Sequence, residues 1–246
     1  MIYLRFLLIC AHPDDLEFSI SNLMISIAKN SNHIIKIVSM TKGEYGTHIN
    51  EIKGEKLGQI RVKELKAAAK IEGISDVEFV GYIDAHVEIN REVIQKVGTY
   101  IETFKPDVIF APECLYYYYP HDDHIRTGLA VYYNIKNMKK SERPALFMFN
   151  SYVNTHYFPM IHWKLQSKAL LIHKSQYWLL LPTYLLRFIL GFYFSFCLPR
   201  HLRHYILAEA YRKVNFEEDQ HRALELKQRI FGRLVTKLKT FFKPMD

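Results

Sequence analysis

The sequence predicts an α/β protein, a Rossmann-like three-layer sandwich with a mainly parallel sheet, followed by an apolar and basic helical C-terminal region. Three observations carry this. Strand-like runs alternate with helical ones from residue 2 to residue 152. The strand-like runs are continuously apolar, as strands covered on both faces are. Hydrophobic residues make up 49% of the 246, enough to cover such a sheet and too many for a disordered chain.

Taken in order, residues 2–10 read as a fully buried strand, with Cys10 as a small buried hydrophobe. Residues 16–30 read as a helix with Leu16, Ile20, Leu23, Met24 and Ile27 on one side. HIIKIVSMT (33–41) reads as the second strand. Residues 51–73 read as a helix of good formers ending at Gly73. DVEFVGYID (76–84) is the third strand. Residues 91–104 form a helix stopped before Lys105-Pro106. DVIFAPE (107–113) is the fourth strand, 123–138 a helix, and ALFMFNSY (145–152) the fifth strand. No GxGxxG and no phosphate-binding Gly-Lys-Ser/Thr pattern occurs, so a nucleotide site has no direct support.

Three cysteines, far apart and odd in number, argue against a disulfide framework and fit a reducing, cytoplasmic setting. The first eleven residues are too short and wrongly charged for a secretory signal. The net charge of +8 is uneven. Residues 1–160 carry 18 Lys and Arg against 19 Asp and Glu, while residues 161–246 carry 15 against 6. No acidic residue lies between Glu142 and Glu209. This asymmetry suggests an anionic partner surface, and of the two candidates a membrane is expected rather than nucleic acid.

Right-handed crossovers place the C-terminal ends of parallel strands on one edge, where ligands bind in such sheets. AHPDD (11–15), TKGEYG (41–46), the YID ending at Asp84 and PECLYYYYPHDDH (112–124) should therefore converge. His121 and His124 are three apart at a helix start and share a face. With His12, Asp14 and Asp15 they give imidazoles and carboxylates at one edge. Two imidazoles and a carboxylate make a common catalytic zinc set, and an adjacent Asp is the base hydrolysis needs. Taken singly, HDDH could be a polar turn and AHPDD a helix cap. Their coincidence at strand ends of one sheet favours a metal hydrolase site.

AHPDDLE followed by HDDHIRTG resembles the LmbE/PIG-L family of zinc-dependent N-acetylglucosaminyl deacetylases. TKGEYG, RVKELKAAAKIEGISDVEFVGYID, ALLIHKSQ (169–176) and AEAYR (208–212) resemble its further motifs, in order. The resemblance implies zinc, with iron as the alternative, on His12, Asp15 and His124. It implies Asp14 as general base, protonated His121 as the oxyanion-holding residue, and Arg61 and Asp84 as sugar contacts. Asp123 is expected to partner a histidine behind the site. Leu16 stands where the family usually has Glu, and Glu17 is given no role. Asp122 replaces the family's Pro and is expected to raise the pKa of His121. The implied activity is removal of an N-acetyl group from an amino-sugar conjugate, soluble or lipid-linked, by a homo-oligomer. A zinc amidase for another acyl group and a non-catalytic membrane-binding module that keeps the fold are the other readings.

The chain divides into a core (1–176), an apolar insertion (177–204) and a helical completion of the same domain (205–246). WLLLPTYLLRFILGFYFSFCL (178–198) is interrupted by Pro182, Arg187 and Gly191, and Arg187 would be costly at a bilayer centre. The expected role is a helix lying in a membrane interface, at a cytoplasmic face, with a protein-covered lid or subunit interface as the alternative. Basic residues from Arg222 to Lys239 could add attraction.

Overall fold

The computed structural model describes residues 3–219 other than 31 and 48. Seven strands form one sheet: β1 (Arg5–Cys10), β2 (Ile34–Thr41), β3 (Asp76–Tyr82), β4 (Val108–Pro112), β5 (Ala145–Phe149), β6 (His156–Pro159) and β7 (Ala208–Lys213). Their order is β3-β2-β1-β4-β5-β7-β6. The first five are parallel, and β7 pairs antiparallel with both β5 and β6. The five expected strands are all present. The antiparallel extension lies partly in the region read as helical, because β7 is short and its pairing with β5 is set across some sixty residues of chain.

The helices are α1 (Asp15–Ser19), α2 (Ser21–Ala28), α3 (Glu55–Glu72), α4 (Arg91–Phe104), α5 (Asp122–Asn137), α6 (Trp163–Leu170) and α7 (Tyr177–Ser195). One core lies on each face of the sheet. Leu7, Ile9, Val38 and Ile109 meet α4 and α5 on one side; Leu8, Ile37 and Phe110 meet α1 to α3 on the other. Asn90 caps α4 by accepting from Val93 N at 3.0 Å, and the helix ends at Lys105 just before the proline.

The helix expected over 16–30 is broken at Ile20. The cause is distant in sequence. Glu209 of β7 places its carboxylate at the start of α2, accepting from Asn22 N at 3.0 Å and Leu23 N at 3.2 Å. A carboxylate there satisfies amides a continuous helix would have bonded internally.

β1 and β4 are neighbours whose helices leave to opposite faces, so the switch point of the sheet opens between AHPDD and PHDDH. α5 sits close to β4 because Gly128 has no side chain. A Cβ there would overlap the Pro112 carbonyl oxygen and lie 2.9 Å from Cys114 Cβ. Gly128→Ala is therefore expected to cost about 1–3 kcal/mol by overpacking. Urea titration would read this as a lower midpoint, and an unchanged midpoint would show that α5 can back away.

Candidate active site

Asp15 begins α1 with its side chain folded back onto β1. Its Oδ2 accepts from Ala11 N at 2.9 Å and His12 N at 3.0 Å. Its Oδ1 faces His124 Nε2 at 3.2 Å and His12 Nδ1 at 3.9 Å. His12 Nδ1 and His124 Nε2 are 3.0 Å apart. A point about 2 Å from all three atoms lies inside this triangle, the bond length zinc takes with nitrogen and oxygen ligands. The donor set thus fits a zinc-like cation. His121 also brings a ring nitrogen within 4.8 Å of those of His12 and His124.

Behind His12, its Nε2 faces Asp84 Oδ1 at 2.9 Å and Asp123 Oδ2 at 3.2 Å. With Nε2 carrying the proton, Nδ1 is the nitrogen turned to the cation position. Asp123 is itself fixed by Ala85 N at 2.7 Å and Val87 N at 3.2 Å. Asp84 accepts from Tyr45 N at 2.9 Å. Burial alone would lower the pKa of His12, but Asp123 and Asp84 raise it well above the ordinary value. Burial would raise Asp15, yet His124 and His12 hold it well below the usual carboxylate range. Three buried carboxylates around two imidazoles form a place for positive charge.

Asp14 is held apart from that cluster. Its backbone has φ 119°, a conformation rare outside glycine. Arg61 of α3 reaches under it, donating to Pro13 O at 2.7 Å and Gly43 O at 3.1 Å, with Nη2 3.1 Å from Asp14 Oδ1. Burial pushes the Asp14 carboxyl up to about 6, against the pull of Arg61 and with a push from Asp15. A carboxylate so poised suits a general base near neutral pH.

His121 caps α5, its Nδ1 accepting from Asp123 N at 3.3 Å. Burial lowers its pKa to about 3, with His12 and His124 adding to the effect. The expected upward shift from Asp122 is absent, since Asp122 turns to Arg126 at 3.3 Å on the outer side of the helix. The expected protonated His121 is corrected with it. With Nδ1 accepting, the proton of the neutral ring sits on Nε2 and can still be donated.

The strand ends expected to converge do so. His12, Asp14, Asp15, Asp84, His121, Asp123 and His124 share one edge, with Arg61 beneath. Arg61 and Asp84, expected as sugar contacts, are buried at 3% and 5% exposure, and the partners described are the site's own residues. Of the tyrosine run, Tyr118 and Tyr119 are exposed, and Tyr119 lies at the imidazoles, its ring centroid 5.1 Å from that of His124. Tyr116 is buried against Arg212.

Glu44 anchors the loop after β2, accepting from Asp84 N at 3.3 Å. Glu113 went unread in the sequence. It accepts from the amides of Cys114, Leu115 and Tyr116 and pairs with Arg212 of β7 at 2.6 Å, fixing the loop that leads to PHDDH. Glu17, given no role, is fully buried beside His173, at 3.6 Å, behind Asp14. Glu113 had a sequence signal, its place at a strand end, but its partner Arg212 is 99 residues away.

Fold and site define an α/β protein with a histidine–carboxylate cluster that could hold a cation at the switch point of a mainly parallel sheet. The family model described as PIG-L, GlcNAc-PI de-N-acetylase, matches residues 7–134, and the chain belongs to this family. It is 30% identical over 162 residues to a probable N-acetyl-alpha-D-glucosaminyl L-malate deacetylase 2 of Bacillus anthracis, covering 61% of this chain and 67% of the relative. To the diacetylchitobiose deacetylase of Thermococcus kodakarensis it is 26% identical, over 48% of this chain and 43% of that protein. The N,N'-diacetylchitobiose deacetylase of Pyrococcus horikoshii has the same fold at a TM-score of 0.74 and 20% identity, covering 85% and 83% of the two chains. The 4-carboxy-2-hydroxymuconate hydratase of Pseudomonas putida also shares it, at 0.72 and 16%, covering 86% and 96%. The fold alone therefore does not fix the reaction.

Proposed function

We propose that the protein is a zinc-dependent deacetylase that hydrolyses the N-acetyl group of an N-acetylglucosamine-type conjugate, releasing acetate and a free amine. The observation that carries it is a charged carboxylate, Asp14, held by Arg61 beside a three-atom set of zinc-ligand spacing to which it does not belong. A bound zinc would polarise the amide carbonyl and acidify a water. His12, Asp15 and His124 are the residues that would hold it.

Asp14 takes the proton of the attacking water and later returns it to the leaving nitrogen. His121 donates from Nε2 to the oxygen that gains charge. Arg61 keeps the Asp14 carboxylate turned to the reacting centre. Asp84 and Asp123 keep His12 in the tautomer that leaves Nδ1 bare. Tyr119 offers a half-exposed aromatic face at the mouth, suited to a sugar ring.

The substrates in the relatives' names support the acetylated amino sugar: a GlcNAc malate conjugate and diacetylchitobiose. The hydratase neighbour is the reason to test the reaction directly. Zinc-loaded protein incubated with soluble N-acetylglucosamine conjugates is expected to release one acetate per free amine formed, and to lose that activity with a chelator. Release of another acyl group, with acetate conjugates untouched, would establish the amidase reading instead.

A further inference from the structure

The apolar insertion becomes helix α7, and Arg187 decides which way it faces. Its guanidinium turns inward, 2.8 Å from Glu209 Oε1 and donating to Glu17 O at 2.7 Å. The costly arginine is therefore on the protein side, not in lipid. Gly191 lies against Met160 and Ala208, and Tyr184 donates to Ser167 at 2.8 Å on the same side.

The opposite face is apolar and uncovered. Leu185, Leu186, Ile189, Phe192, Tyr193 and Phe196 are between 50% and 67% exposed. Their spacing repeats every three to four residues, one stripe along a helix. Contiguous exposed apolar side chains of this size mark a contact surface. Among the described residues no helix is long and apolar enough to cross a membrane.

We propose that this face of α7, with the basic residues that follow it, docks the protein on an anionic lipid bilayer. Charge selects that occupant. Arg200 and Arg203 are exposed just beyond the stripe, and no acidic residue lies between 142 and 209. The basic residues from Arg222 to Lys239 lie outside the described residues. A second copy seated on the same face would bring its own exposed Arg200 and Arg203 as further positive charge. An apolar stripe with basic flanks is the arrangement that interfacial helices present to anionic headgroups. Gln176, just before α7, packs over Gly46 of the loop after β2, so the docking helix starts at the rim of the site. The inference adds a partner to the proposed deacetylase and extends that reading to a membrane-held conjugate. Vesicle binding is read without turnover, so either reading can fail alone.

The test is sedimentation of the metal-loaded full chain with vesicles of phosphatidylcholine containing increasing phosphatidylserine. Binding is expected to rise steeply with phosphatidylserine and to fall with salt. The Ile189→Glu/Phe192→Glu variant should bind at least tenfold more weakly while keeping its melting temperature and its acetate release from a soluble conjugate. Arg200→Gln, confined to exposed charge, should lose roughly fivefold. Wild-type protein that ignores anionic vesicles overturns the proposal, as does undiminished binding by Ile189→Glu/Phe192→Glu. A wild-type dimer that this variant converts to monomer, with no vesicle binding, would show the face to be an interface between copies.

Discussion

Asp14→Asn is expected to bind metal at the wild-type ratio and to lose about two to four orders of magnitude in turnover, the usual effect of removing a general base. The amide keeps an oxygen for Arg61 Nη2, now 3.1 Å from Asp14 Oδ1. The strained φ of 119° at residue 14 is also better tolerated by Asn than by Ala. What the variant lacks is a group that can take a proton. Metal content by mass spectrometry and steady-state acetate release separate the two properties. A metal content that falls in step with activity would make Asp14 a ligand and sink the assignment.

His12→Ala and His124→Ala are expected to lose metal, whereas His121→Ala keeps it with a lower kcat. His12 and His124 supply the two nitrogens of the tight triangle with Asp15. His121 already spends Nδ1 on the Asp123 amide. The two ligand variants should also differ in stability. His12→Ala removes the imidazole that Asp84 and Asp123 both face, leaving two buried carboxylates without it. Breaking such a buried pair costs about 3–5 kcal/mol. His124→Ala strips Asp15 of one neighbour, but the Ala11 and His12 amides still hold Asp15 Oδ2. Melting curves of the metal-free variants should place His12→Ala well below His124→Ala. A His121→Ala protein without metal would replace Asp15 by His121 in the ligand set, the three-imidazole grouping the geometry also allows.

The sequence by itself determined the parallel core and the gathering of the site. Continuous apolar strands, helix stops such as Lys105-Pro106, and right-handed crossovers leave one edge for AHPDD and PHDDH to share. These are local signals, each contained within one run of residues. The family resemblance named the residues at that edge but not how each is held. Tertiary structure alone decided that Arg61 grips Asp14 and that Asp84 faces His12 Nε2, because these contacts join residues 47 and 72 apart that periodicity cannot align. It likewise decided that Asp122 turns away from His121 and that Glu209 splits the first long helix. The direction of α7 was settled by a single buried pair, Arg187 with Glu209. A sequence run of 21 mostly apolar residues shows how much surface must be covered. Only the position of the partner carboxylate shows which side of the helix the protein covers and which it leaves exposed.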